Sequence, residues 1–481
     1  MLSVGGQIGQ QSPALTASRQ RWVVAVLSLG GLLASVMQTL IVPIIAELPN
    51  YLGTTRDNSS WVVTATLVAA AVAMPIAGRL ADLFGKRAVM LGCICGMIAG
   101  SVLCALTDDL LAMVIGRGFQ GVAMGLIPCG ISLMRDCLDV RRLSRSVALL
   151  SATMGVGGAV GLPVSAWIAQ NFDWHALFWC SAALATVVLA LMVKVVPESG
   201  VRASGGFDIC GAVGLSVALI CILLTVTKGA VWGWTSPMTV FLGVTGGIVL
   251  GLWIWLELRL ASPLVDLRTS SQPVILLTNC ASFLIGCAMM FSTLATPQLL
   301  QVPDMPGIVD GLGQDLFATG LIMAPAGLAM MAFAPISGRL IVVVGPRSTL
   351  MVGAVMIMGG YVGLTIFLTE VWQVAIALIV VSSGIGMSYA AMPSLIMAVA
   401  PGDQTAAANS LNALMRSAGT STASAILTTL LATSAIDIGA GATVPGESSF
   451  RTAFWVAAGI AAAATAITSA IPYRHAEARL R

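Results

Sequence analysis

Apolar residues run along this chain in blocks of roughly twenty, separated by short breaks rich in glycine, proline, asparagine or charge. A helix of that length covers the hydrocarbon thickness of a bilayer, so each block predicts a membrane-spanning helix. Split at the breaks, the pattern yields fourteen spans, at about 22–46, 60–78, 88–107, 110–133, 144–170, 175–195, 207–228, 237–258, 273–300, 316–341, 348–368, 371–400, 404–433 and 451–472. An even number of crossings puts both termini on one side. The expected fold is an all-α integral membrane protein.

Composition sharpens that expectation. Of 481 residues 58% are hydrophobic and only 9% charged, which leaves more apolar surface than a soluble domain can bury. A net charge of +3 with no basic block gives no support for nucleic-acid binding. Residues 1–18 are polar and lack the basic n-region of a cleavable signal, so the first span is expected to be retained. Cysteines such as Cys93, Cys95, Cys104 and Cys287 lie inside apolar runs without zinc-ligand spacing, and the histidines are His175 and His475 alone. No metal site, no cofactor and no enzymatic centre is therefore expected.

Scarce charges fix the orientation. Arg19, Arg21, Arg79, Lys86, Arg87, Arg141, Arg142, Arg339 and Arg347 fall on the N-terminal side of the predicted spans, whereas Arg56, Lys228 and Arg451 fall opposite. The positive-inside rule makes the N-terminal side cytoplasmic.

One charged frame occurs twice. Pro75-Ile-Ala-Gly78-Arg79-Leu80 returns as Pro335-Ile-Ser-Gly338-Arg339-Leu340, and Gly85-Lys86-Arg87 returns at the same offset as Gly345-Pro346-Arg347. Two halves with one loop in common suggest parallel repeats related by an axis along the bilayer normal. Six spans with short loops need roughly 200 residues, and the two copies lie further apart than that. The surplus fits two extra spans between the halves, giving six plus two plus six. The expected organisation is a cytoplasmic N-terminal tail (1–21), an N-terminal six-helix bundle (22–195), a linker with two extra helices (196–272), a C-terminal six-helix bundle (273–472) and a cytoplasmic tail (473–481). Residues 197–206, rich in Gly and Ser, read as a mobile connector.

Three constellations bear on mechanism. In the first hinge, Asp82 stands among Arg79, Lys86 and Arg87, where it can make charge-assisted bonds in one packing of neighbouring helices and lose them in another. Gly78 and Gly85 permit tight turns and close approach. A plain positive-inside anchor is the bland alternative, and in the second copy Val342 stands at the Asp82 position. In the fourth span, Gly116-Arg117-Gly118-Phe119-Gln120-Gly121 places an arginine inside a helix, facing either a cavity or the backbone carbonyls of a broken helix. In the fifth, Gly155, Gly157, Gly158, Gly161 and Pro163 make a smooth, kinkable face.

The hinge resembles the signature loop between the second and third helices of the major facilitator superfamily. The Arg117, Gln120, Gly121 order resembles its fourth-helix motif, and the glycine run its fifth-helix antiporter motif, here with Leu162 between Gly161 and Pro163. With the six-two-six count, the chain looks like the fourteen-span drug:proton antiporter family over about residues 20–472. The resemblance implies an alternating-access secondary transporter, monomeric and multi-pass in the bacterial plasma (inner) membrane. It would export lipophilic drugs or similar small molecules in exchange for protons. It also implies that Gly78, Arg79, Asp82, Gly85, Lys86, Arg87, Gly338 and Arg339 form the conformational switch, and that Arg117, Gln120 and Gly121 serve proton coupling.

Substrate-lining candidates come from polarity at depth: Gln38, Thr39, Asn279, Gln298, Asn409, Asn412 and Arg416. Positions 409, 412 and 416 share one helical face. No acid maps well inside a span; Glu47 and Glu257 come nearest, each by a predicted helix end. Proton coupling would then run through Asp82, Glu47 or Asp57, and with Arg117 and Arg416 as the embedded charges, neutral, lipophilic or anionic substrates fit better than multivalent cations. A dedicated lipid or secondary-metabolite exporter of the same fold, weakly coupled or uncoupled to protons, stays open as the alternative.

Overall fold

A computed structural model describes residues 16–472 apart from 46, 261, 304–310, 368–369, 433–434 and 440–441. The expected tails at 1–15 and 473–481 lie outside the described residues, as do parts of the two long loops at 301–315 and 434–450. The long helices are α1 (Ala17–Thr39), α2 (Trp61–Phe84), α3 (Lys86–Ala105), α4 (Leu110–Cys137), α5 (Val140–Asn171), α6 (Ala176–Val195) and α7 (Ile209–Trp232). They continue as α8 (Pro237–Glu257), α9 (Pro273–Gln301), α10 (Leu316–Val343), α11 (Pro346–Ile366), α12 (Val371–Val399), α13 (Thr405–Ala432) and α14 (Glu447–Ser469). A short antiparallel hairpin, Ala435–Gly439 with Ala442–Pro445, is the exception to the helical architecture among the described residues.

Among the described residues, twelve helices are long and apolar enough to cross a membrane. α5 and α13, 32 and 28 residues long, are not among them. α5 opens with Arg141, Arg142 and Arg145, and α13 carries Asn409, Asn412 and Arg416. Both pack on helices of the opposite half, α5 on α10 and α13 on α2. On α13, Asn409, Asn412 and Arg416 are buried against protein neighbours, which permits its polarity.

Several boundaries differ from the expected spans. α1 ends at Thr39, because Pro43 stands in a separate turn, Val42–Ile44. α2 continues through Pro75 to Phe84, so the charged hinge is the last turns of a helix and not a loop. A proline is tolerated there because neighbouring helices compensate for the freed backbone group. The chain turns at Gly85, with φ 109°, and at its counterpart Gly345, with φ 86°; left-handed backbone at both explains why each copy has glycine there.

Two large hydrophobic cores form. One is built from residues between Val23 and Val196, joined by Met397, Ala406 and Ala413. The other runs from Val274 to Ile471 and takes in Ala148 and Ala152 of α5. Smaller clusters bind α7 and α8 to α2 and α13, through Leu219, Leu223, Leu411 and Leu414.

Candidate functional site

The hinge end of α2 is the most connected polar region. Asp82 is 1% exposed, and its two carboxylate oxygens accept the backbone N–H groups of Ala406 (3.1 Å) and Ala407 (2.8 Å). Those are first-turn donors of α13, which have no partner within their own helix. An anion at a helix N-terminus also meets the positive end of the helix dipole. Asp82 therefore links one half of the chain to the other by charge and by hydrogen bond.

Close packing brings the elements to that distance. A β-carbon on Gly78 would lie 2.7 Å from Ser410 Cβ and 2.8 Å from the Ala406 carbonyl. In the second copy, a β-carbon on Gly338 would lie 2.8 Å from Arg145 Cα. Each hinge glycine thus receives a helix of the other half. Further bonds close the same end: Ser132 with Thr405 at 2.6 Å, and Arg135 donating to the Ala400 carbonyl at 3.3 Å.

The cations of the hinge do other work. Lys86, fully buried, pairs with Asp136 at the end of α4, and the Ser199 hydroxyl donates to the same carboxylate. Arg87 donates to the Val193 carbonyl at 2.6 Å and lies 3.8 Å from Glu198. The connector expected to be mobile is anchored here as well, since the Ala203 N–H donates to the Asp82 carbonyl at 2.7 Å. Arg79 is buried with its Nε unpartnered and its guanidinium next to Gly205. Arg339 is exposed at the end of α10, beside Gly338, which makes the close approach.

Arg117 is 1% exposed and tied to backbone. It donates to the carbonyls of Val62 and Met37, each at 3.3 Å, and to Gln120 Oε1 at 2.7 Å. Gln120 in turn donates to Ser101 at 2.8 Å. Gly121 lets α4 meet α2, where a β-carbon would lie 3.0 Å from Ala70 N. α4 breaks into a tighter turn at Ala123–Gly125, just beyond this knot. The carbonyls that hold Arg117 belong to α1 and α2 and not to its own broken helix.

The glycine run of α5 faces two ways. Gly157 and Gly161 lie against Ser35 and Thr39 of α1, while Gly155 meets Met330 of α10, whose Cγ would be 2.8 Å from an added β-carbon. Gly158 has open space, and Pro163 lies near Gly320 of α10. Together with Gly338 and Arg145, these contacts run along the whole seam between α5 and α10.

The polar candidates do not converge. Gln38 is exposed and donates to Met124 Sδ at 3.4 Å; Thr39 donates to the Val36 and Gly157 carbonyls. Gln298 is exposed and bonds to its own helix. In the second half, Asn412 donates to Asn279 at 3.0 Å, while Asn409 donates to Thr405 and keeps a buried, unpartnered Oδ1. One turn on, the Arg416 guanidinium lies 4.6 Å from the centre of the Tyr389 ring, whose hydroxyl donates to Met289 Sδ. No described contact joins Gln38, Arg117 and Arg416. Glu47 pairs with Asn50 in an exposed turn, and the Asp57 side chain lies outside the described residues.

Sequence reasoning passed over Asp136, Ser199, Tyr389 and Ser410. Asp136 had a signal, an acid beside Arg135 at the end of the fourth span; the others look like ordinary polar residues of a helix or connector. Trp174 stacks on Tyr51 at 5.5 Å, and the Asp173 carboxyl is held below its usual range because it accepts the His175 backbone N–H and lies beside the His175 ring.

Comparison with known proteins places this architecture. The chain is 29% identical over 331 residues to an uncharacterized MFS-type transporter of Mycobacterium tuberculosis, covering 68% of this chain and 47% of that protein. It thus spans about half the length of that relative. It is 25% identical over 385 residues to the multidrug resistance protein Stp of M. tuberculosis, covering 78% of this chain and 69% of Stp. With the multidrug transporter protein MdtP of Bacillus subtilis it is 23% identical over 342 residues, covering 71% and 62%. Among solved structures, the proton:xylose symporter XylE superposes with a TM-score of 0.68 at 12% identity, over 97% of this chain and 98% of XylE. The human organic anion transporter MFSD10 gives 0.64 at 14%, over 93% and 99%. The model of the Major Facilitator Superfamily matches residues 27–424 and 278–479. The chain belongs to the major facilitator superfamily, and its many long apolar helices make it a multi-pass integral membrane protein.

Proposed function

We propose that this chain is an alternating-access exporter of lipophilic drugs or similar small molecules, working in exchange for protons in the bacterial plasma membrane. The reading takes α5 and α13 as spanning helices, giving fourteen spans as six plus two plus six, with the hinges and both termini cytoplasmic. Support for export of varied compounds comes from the multidrug names of Stp and MdtP, and for the orientation from the one-sided arginine and lysine distribution.

The observation that carries the proposal is the bond from Asp82 to the N-terminus of α13. A carboxylate that belongs to one half and is satisfied by backbone donors of the other exists in one arrangement of the halves and breaks in another. The described geometry is the state closed at the hinge side. In alternating access, that state receives no substrate from the cytoplasm and releases it outward. Purified protein in liposomes loaded with a hydrophobic dye tests the reading. Transport that depends on an imposed proton gradient is expected; dye movement unchanged when the gradient is collapsed would exclude proton exchange.

One observation favours a narrower substrate class as a second reading. Arg416 sits on the Tyr389 face without a carboxylate partner among the described residues. Such a cation suits an anionic headgroup, as a dedicated lipid or metabolite exporter would require. Competition of dye efflux by anionic but not cationic amphiphiles would select this reading.

A further inference from the structure

The two helices between the halves meet at their hinge-side ends, where α7 starts after Asp208 and α8 finishes at Glu257. Asp208 caps α7, its Oδ1 accepting the Gly211 N–H at 2.8 Å. Glu257, 2% exposed, turns towards the following loop, where its Oε2 accepts the Leu264 N–H at 3.1 Å. Each carboxylate therefore uses one oxygen on the backbone. The other two oxygens, Asp208 Oδ2 and Glu257 Oε1, are buried and have no partner. They face one point: a β-carbon on Gly211 would lie 2.8 Å from Glu257 Oε1 and closer still to Asp208 Oδ2.

Among the described residues no donor reaches either oxygen, although the Val265 N–H also faces the Glu257 carboxylate. Ala212, Leu215, Trp253, Leu264 and Val265 form an apolar cluster around them, with Ile76 and Phe207 against it. The Trp253 indole N–H is used by the Gly211 carbonyl at 2.9 Å. Arg79 of α2 is the cation whose charge reaches Glu257; its buried Nε lacks a partner too. Other charges nearby are engaged elsewhere. Arg259 lies on the Trp255 ring, Arg268 donates to the Leu258 carbonyl, and Asp266 accepts the N–H groups of Arg268 and Thr269.

Two ionised carboxylates are acceptors only, and holding both charged at close quarters away from water is costly. One proton resolves both defects. It turns one oxygen into a donor and leaves a single anion, held by a short charge-assisted bond and balanced by Arg79.

We propose that Asp208 and Glu257 form a proton-binding site that holds one proton between Glu257 Oε1 and Asp208 Oδ2, with Arg79 of the hinge as counter-charge. Binding takes a proton from water at the hinge side, making one O–H bond and one O–H···O hydrogen bond; release returns that proton to water. With the proton gone, two negative charges face one cation: the start of α7 and the end of α8 repel each other, while both draw Arg79 towards them. The site supplies the buried acid that the transmembrane pattern lacks. It deepens the proton-exchange part of the functional proposal, while its existence does not depend on any substrate.

Difference infrared spectroscopy during a pH titration of the full chain in detergent, without substrate or gradient, tests it. The wild type is expected to have a carboxylic acid C=O band at neutral pH that disappears as pH rises, and Glu257→Gln to lack it. Asp208→Asn removes the like charge and supplies an amide donor, so the band's midpoint moves to lower pH. Arg79→Gln removes the cation that favours ionisation, so the midpoint moves up by about one unit or more. If Glu257→Gln does not fold, the opposite shifts in the other two variants decide. Absence of the band at neutral pH, its survival unshifted in Asp208→Asn and Arg79→Gln, or its loss on adding sodium at fixed pH would overturn the proposal. A band that titrates as expected beside dye transport indifferent to protons would leave this site standing and remove the exchange reading alone.

Discussion

Gly78 of α2 and Ser410 of α13 lie so close that a β-carbon on the glycine would come within 2.7 Å of the serine Cβ. No ordinary side-chain contact is that short, so helix α2 must shift if Gly78 carries any side chain. Gly78→Ala is expected to move the closed hinge end apart, and Gly78→Val to hold it open. Electron–electron distance measurements between spin labels on the hinge-side ends of α2 and α13 check this. An unchanged distance distribution in Gly78→Val would contradict the close approach.

Asp82→Asn keeps the shape of the side chain but loses the charge and one of two acceptors. Hydrogen bonds to charged groups contribute about 1.5–3 kcal/mol each, so the state closed at the hinge end should lose at least tenfold in relative population. Transport is expected to slow while substrate binding changes little, because Asp82 lies at the hinge end with its carboxylate on backbone N–H groups. Turnover equal to wild type would remove Asp82 from the switch.

Arg117 joins three helices through the carbonyls of Met37 and Val62 and the side chain of Gln120. Arg117→Ala would take the donor from Gln120 Oε1 and from the Met37 carbonyl, while the Val62 carbonyl keeps Thr66 Oγ1 at 3.3 Å; a buried polar group left without a partner costs about 1–3 kcal/mol. A fall in thermal unfolding temperature of several degrees is expected in detergent, with Gln120→Ala giving a smaller fall. If Arg117→Ala abolishes transport without lowering stability, the arginine has a role beyond this knot.

Neighbouring glycines of α5 should respond differently to the same change. Gly158→Ala meets open space and is expected to be silent, whereas Gly157→Ala meets the Ser35 backbone at 3.0 Å and Gly155→Ala meets Met330. Transport assays on the three variants, with expression as a control, check the order. Equal loss at Gly158 would point to a need for backbone bending instead of close packing.

Much of the fold was legible because lipid forces long apolar runs. The glycines that turn the chain, Gly85 and Gly345, were visible as a repeat and occupy left-handed backbone. Other features left little trace. The donors to Asp82 are the backbone N–H groups of Ala406 and Ala407, and any residue other than proline offers the same group. The apolar run suggests a span ending at about 78, but the helix continues through the charged residues to Phe84. Glu257 stands out as an acid near membrane depth, whereas nothing in the sequence sets Asp208 apart. Their meeting depends on α7 and α8 packing side by side, which residue spacing does not encode.

The connector from Val196 to Gly206 gives the molecule an unusual belt. Ser199 fastens it to Asp136 and Ala203 to the Asp82 main chain, so the strap crosses the elbow it must let bend. Movement of the elbow should therefore peel the strap away and expose it. A protease sensitive to extended chain would then cut between Lys194 and Asp208 faster in a cycling transporter than in one locked shut, making the belt a gauge of the protein's own turnover.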